Sequence, residues 1–129
     1  MLAIDTNLIV RYLVRDDPGQ AARARKLIDN NDVFVCTTVV LETEWVLRSV
    51  YGFSILQCAK ALADFAGLPR VILEDAACVS KALGWMREGV DFADGLHLAK
   101  AEGCDAFVSF DRTFAKAANA LGGIKVRAP

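Results

Sequence analysis

The stretch Val33-Phe34-Val35-Cys36-Thr37-Thr38-Val39-Val40-Leu41-Glu42-Thr43-Glu44-Trp45-Val46-Leu47-Arg48-Ser49-Val50-Tyr51-Gly52 changes its hydrophobic period partway along. Val33 to Cys36 is a short unbroken apolar run, the pattern of a strand covered on both faces. From about Val39 to Tyr51 the apolar residues return at helical spacing, and Gly52 stops the helix. A strand that feeds a helix is the repeating half-unit of a parallel sheet, because parallel neighbours need a crossover between them.

The alternation extends in both directions. Leu2 to Ile4, Val71 to Leu73, Ala106 to Phe110 and Ile124 to Val126 are further short apolar runs. Asp17-Pro18-Gly19-Gln20 opens a helix continuing through Ala21 to Asn30, with an N-cap and a proline at the first helical position, and Asn30-Asn31-Asp32 ends it. Ser54 and Gln57 form a capping box for the next helix, with Phe53 and Cys58 as the matching hydrophobic staple. Asp75 to Arg87, Phe92 to Glu102 and Arg112 to Leu121 are read as helices, each with an Asp able to cap it. The expected fold class is α/β: one domain over residues 1–129, with a parallel, doubly wound sheet of about five strands flanked by helices. Ligands of such sheets bind beyond the carboxyl ends of the strands.

Composition agrees with a covered core and excludes several classes. The 129 residues are 54% hydrophobic, with a mean hydropathy of +0.31. The 15 basic and 16 acidic residues nearly cancel to −1, so no global field attracts nucleic acid and any polyanion must be held by a local basic patch. Cys36, Cys58, Cys78 and Cys104 are widely spaced among apolar neighbours, and His97 is the lone histidine. That pattern opposes a zinc site or a disulfide framework and fits buried thiols in a reducing compartment. No charged leader followed by an apolar stretch opens the chain, and no run approaches a membrane span, so a soluble cytoplasmic protein is expected.

Acidic residues stand where the apolar runs end. Asp5 closes the first run and is followed by Thr6 and Asn7, a dense polar triplet that exceeds what helix capping requires. Glu42 lies on the margin of the apolar arc formed by Val39, Val40, Val46, Leu47 and Val50, at 100° per residue. Glu44 points nearly opposite and pairs with Arg48 at i,i+4, an ordinary surface arrangement. Asp91 and Asp94 share a helix face; Asp91 suits a cap, and Asp94 sits in the helix proper between the small residues Ala93 and Gly95. Asp111 follows Phe107-Val108-Ser109-Phe110 and reads equally well as a cap. His97 is expected to pack in the core or be hydrogen-bonded, and Trp45 and Trp85 to pack. If the runs are neighbouring elements of one sheet, these acids form a carboxylate cluster, which is costly without a cation or a shared proton. Arg11, Arg15 and Arg112 lie close in sequence to the acids, where a phosphate backbone would be gripped.

The segments Leu2 to Asn7, Val40 to Arg48, Asp91 to Ala99 and Phe107 to Asp111 together resemble the PIN-domain nucleases, and their order and spacing look most like the VapC-type toxins. The resemblance implies a metal-dependent endoribonuclease with active-site acids at Asp5, Glu42, Asp94 and Asp111. It implies Thr6 or Asn7 and Ser109 as supporting polar groups, with Asp91 at a position often acidic in these proteins. It further implies a VapB-like antitoxin partner and a homodimer. An oxygen-only ligand set favours Mg²⁺ or Mn²⁺. Two non-catalytic alternatives are a receiver-type signalling module, which wants paired acids after the first strand, and a PIN-like protein-binding scaffold. A haloacid-dehalogenase-like phosphatase would need a carboxylate at Asn7.

Overall fold

A computed structural model describes every residue, Met1–Pro129. The chain is α/β, with seven helices and five short strands, and divides into two compact units, Met1–Ala76 and Ala77–Pro129.

In the first unit the order is β1 (Leu2–Ala3), α1 (Thr6–Val14), α2 (Pro18–Asn30), β2 (Val33–Val35), α3 (Thr37–Ser49), α4 (Ile55–Ala66) and β3 (Val71–Leu73). The strands pair in parallel as β1-β2-β3, with Leu2 opposite Val33 and Val33 opposite Val71. The central strand β2 is the apolar run of the opening stretch, and Val33 and Val35 are fully buried. The expectation of strands covered on both faces is met only there: Leu2 and Ala3 of β1 are exposed, and so is Ile72 of β3.

The local start signals operate as read. Asp17 accepts a hydrogen bond from the Gln20 N–H at 3.0 Å, with Pro18 as the first helical residue. Ser54 and Gln57 complete a reciprocal capping box at 3.1 and 2.8 Å. We expect Ser54→Ala to destabilise the chain by about 1 kcal/mol in a urea melt, while Ile55→Ala beside it, half exposed, should matter less.

Helix α1 has no counterpart among the helices expected from the sequence. Asn7, Ile9, Val10 and Val14 are indifferent helix formers. Burial compensates: Ile9 and Val10 are almost fully enclosed, α1 packs on α2 and α3, and Asp5 caps it by accepting from Leu8 N–H at 3.1 Å.

The second unit holds α5 (Ala76–Arg87, whose first residue closes the first unit), α6 (Phe92–Lys100), β4 (Phe107–Val108), α7 (Arg112–Ala120) and β5 (Val126–Arg127). Strand β4 pairs with β5 in parallel. The expected strands are thus all present with parallel pairing, grouped as three and two. Val90, Leu98, Phe114, Ala118 and Val126 form the core of this unit, with Trp85, Phe107 and Ile124 packed against it. The rings of Phe107 and Phe114 meet edge to face at 5.6 Å. The Asn119 side chain bonds both backbone groups of Val126, at 2.8 and 2.9 Å, and so ties α7 to β5. Gly95 lets α6 approach α5 closely, since a Cβ there would stand 3.4 Å from Ala82.

Candidate functional site

In the first unit the chain leaves β1 through Ile4, and Asp5 and Thr6 begin α1. Thr6 is buried, and its hydroxyl donates a short hydrogen bond to Glu42 Oε1 on α3. The carboxylate of Glu42 is therefore fixed in orientation beside the start of α1, one residue from Asp5. Asp5 uses only Oδ1 for its cap, so capping and ligand binding are compatible in one side chain. Both carboxylates are exposed, and Asn7 is exposed next to them.

Helix α3 corrects one angular expectation. Its buried stripe is Thr37, Val40, Thr43, Glu44 and Leu47, so Glu44 lies on the inner face with a relative exposure of 1%. The pairing with Arg48 is as expected, bidentate through Nε and Nη2, the latter at 3.2 Å. It is a buried ion pair and no surface arrangement. The sequence assigned Val39, Val46 and Val50 to the apolar face; Val50 is in fact largely exposed. Below Glu44, burial and then the Glu44 charge push the Cys58 thiol up to about 11, which keeps it protonated and unreactive.

In the second unit Asp91 caps α6, accepting from the Asp94 N–H at 3.3 Å, and Asp111 caps α7, accepting from Phe114 N–H at 2.9 Å through Oδ1. The Asp111 N–H in turn donates to Ser109 Oγ at 3.0 Å, which holds the turn after β4. Asp94 lies one turn into α6 and is partly buried. Burial raises its pKa above the ordinary value, and the charges of Asp91 and Asp111 raise it further, with His97 opposing. Asp94 thus stands in the field of two other carboxylates, which disfavours its charge. A divalent cation would relieve that repulsion.

Asp5 and Glu42 in the first unit, and Asp94 and Asp111 in the second, offer carboxylate oxygens alone, a donor chemistry that suits a hard cation. Within either unit no three His, Cys, Asp or Glu side chains come together as a group that could hold a metal ion.

The basic candidates differ in circumstance. Arg11 donates to Gln20 at 2.7 Å, Asp16 at 2.8 Å and the Tyr51 hydroxyl at 3.4 Å, so its guanidinium is a clamp at the ends of α1, α2 and α3. With Asn7, Leu8, Gln20, Arg23, Ala24 and Leu27 it lines a groove of about 270 Å³ between α1 and α2. Arg15 is exposed at the left-handed end of α1, and Arg112 is exposed at the start of α7.

Three other expectations are corrected. His97 is exposed and no core residue. Trp45 is 56% exposed, whereas Trp85 does pack as expected. Of the four cysteines, all unpaired, Cys104 is exposed and only Cys58 fully buried. Helical periodicity misplaces such residues because it assumes that apolar side chains define the inner face, and α3 puts threonines and a glutamate there.

Comparison with known proteins gives one family: the PIN domain matches residues 2–120. No curated protein matches the chain.

Proposed function

The chain belongs to the PIN domain family, and from that premise we propose that it is a metal-dependent endoribonuclease acting as the toxin of a VapBC-type pair. The observation that carries the reading is the state of the acids: Glu42 oriented by Thr6 beside Asp5, and Asp94 held above its ordinary pKa by burial with Asp91 and Asp111. Carboxylates kept close to one another are a cost that selection tolerates where they hold an ion.

Asp5, Glu42, Asp94 and Asp111 would hold Mg²⁺ or Mn²⁺. When bound, the ion supplies Lewis acidity, making a water more acidic and offsetting charge on the transferring phosphoryl group. The chain's own residues do the positioning. Thr6 fixes the direction of Glu42, and Ser109 fixes the turn that presents Asp111. The caps engage Oδ1 of Asp5 and of Asp111 and leave Oδ2 of each for another partner. Asp91 acts chiefly by holding the first turn of α6 in place and by lending negative charge. Arg112, Arg15 and the groove wall of Arg11 and Arg23 supply positive charge for an RNA backbone, so cleavage should weaken steeply as salt rises.

An antitoxin of VapB type would cover this acidic face, and a homodimer is part of the same reading. Four unpaired thiols suit a reducing cytoplasm, and no helix is long and apolar enough to cross a membrane.

The test is cleavage of RNA by purified protein. We expect cuts with Mg²⁺ or Mn²⁺, none in EDTA, and none with Asp5→Ala of unchanged circular dichroism. Induction in a bacterium should arrest growth, and RNA ends mapped after induction would name the target. Cleavage that persists undiminished in EDTA overturns the metal-dependent mechanism, and a folded protein that never cuts RNA favours a protein-binding PIN scaffold.

A further inference from the structure

Two aromatic rings stand in solvent beside the candidate acids. Trp45 is 56% exposed and Phe110 is 87% exposed, the latter the most exposed large hydrophobic residue of the chain. On α3 the other exposed residues are Thr38, Glu42 and Ser49. At 3.6 residues per turn these fall on one stripe, with Trp45 about one turn beyond Glu42. Phe110 directly precedes Asp111 in the turn that Ser109 holds. Each ring is thus next to a carboxylate already assigned to the site.

An exposed aromatic ring is ordinary when it belongs to a broad apolar patch that a protein partner covers. Neither ring does. Trp45 is the one apolar side chain of a stripe otherwise formed by Thr38, Glu42 and Ser49, and Phe110 lies between Ser109 and Asp111, with Arg112 following. The other exposed apolar residues of α3 and α4, namely Val50, Ile55 and Leu56, lie off that stripe, at the end of α3 and the start of α4. A single flat ring framed by hydroxyls and a carboxylate matches one flat apolar ligand more closely than a protein surface, which needs hundreds of square ångströms of contact.

Resting on the nuclease reading above, we propose that Trp45 and Phe110 each stack an unpaired base of the RNA substrate, and so recognise it partly through the faces of its bases. Stacking on an aromatic side chain is sequence-tolerant, since every base has a π-face. It also requires that the base be unpaired, which excludes duplex RNA at the site. Both rings are positioning residues.

The experiment measures binding and cleavage separately. In the Asp5→Asn protein, which keeps a capping side chain, oligoadenylate and oligouridylate should quench tryptophan fluorescence, and a poly(A)·poly(U) duplex should not. Trp45→Ala and Phe110→Ala should each weaken binding of the single strands roughly tenfold, while Trp45→Phe and Phe110→Tyr stay near the parent. With wild-type Asp5 and Mg²⁺, the Ala variants should raise KM for a single-stranded RNA with kcat little changed. Phe110→Ala removes a ring that is 87% exposed, so its effect cannot be attributed to unfolding. Unchanged binding in both Ala variants overturns stacking, and does so with the nuclease reading intact if wild-type protein still cuts. Quenching and weakened binding in a protein that never cuts would sustain stacking and remove the nuclease reading. Conversion of a dimer to a monomer by Trp45→Ala, with no quenching by RNA, would assign that ring to a second copy of the chain and overturn its role here.

Discussion

Asp94→Asn should lower RNA cleavage by on the order of 10³-fold, the scale of losing a group that organises transition-state charge, while making the metal-free protein more resistant to heat. The two halves of this expectation share one cause. Burial, reinforced by Asp91 and Asp111, holds the Asp94 pKa above its ordinary value. The folded state therefore binds that proton more tightly than the unfolded chain does. The stabilising contribution is fully present below the unfolded-state pKa and is lost as pH rises through the raised folded-state value. Once pH has risen through that raised value Asp94 is charged and opposes folding, and asparagine removes the charge at nearly constant shape. In EDTA the variant should melt above wild type at pH 7, and the gap should close as pH falls through the acid range. Added Mg²⁺ should raise the wild-type midpoint by mass action and leave the variant almost unmoved. A variant that melts lower than wild type in EDTA, or cuts RNA at the wild-type rate, contradicts the assignment of Asp94.

The balance between site and stability also explains which features were legible in the sequence. The starts of α2 and α4 were readable because their caps are local: Asp17 with Pro18, and Ser54 with Gln57, act within four residues of chain. The α/β order was readable because β2 and α3 follow each other with opposite periodicities. Helix α1 was not, since Asn7, Ile9 and Val10 favour no helix by themselves and form one through packing on α2 and α3. The strands were placed correctly but drawn long; β1 and β4 hold two residues each, and a run of five apolar residues does not say which of them pair.

The acids were visible individually, as carboxylates where apolar runs end, and the capping reading weighed against three of them proved true without excluding the other role. Asp5, Asp91 and Asp111 all cap helices. A carboxylate has two oxygens, and a helix N-terminus also favours negative charge, so a ligand that doubles as a cap is stabilised where it stands. What sequence could not convey is the hydrogen bond from Thr6 to Glu42, made across 36 residues by a threonine that the fold buries.

Arg48→Ala should destabilise the chain by about 3 kcal/mol in urea unfolding, because it strands the Glu44 carboxylate at 1% exposure without its bidentate partner. The same i,i+4 pair on an exposed helix face would contribute about 0.3–0.5 kcal/mol, so the measurement discriminates sharply between the two environments. Arg48 is itself 33% exposed at the side chain and Glu44 only 2%, and the asymmetry implies a direction: losing the arginine should cost more than losing the glutamate, whose absence leaves a cation able to reach water. Replacing both residues by Leu and Met should recover most of the loss, since an apolar pair avoids the desolvation that the ions incur. A single-variant cost below about 0.5 kcal/mol would place the pair with ordinary surface bridges. The comparison also separates the two glutamates of α3. Glu42→Gln, on the exposed face, should depress cleavage and leave the unfolding midpoint in place. Glu44→Gln should shift the midpoint and leave the rate per folded molecule in place, because its side chain faces the core and reaches no candidate ligand. Two carboxylates two residues apart would then be shown to serve different ends by the face on which each stands.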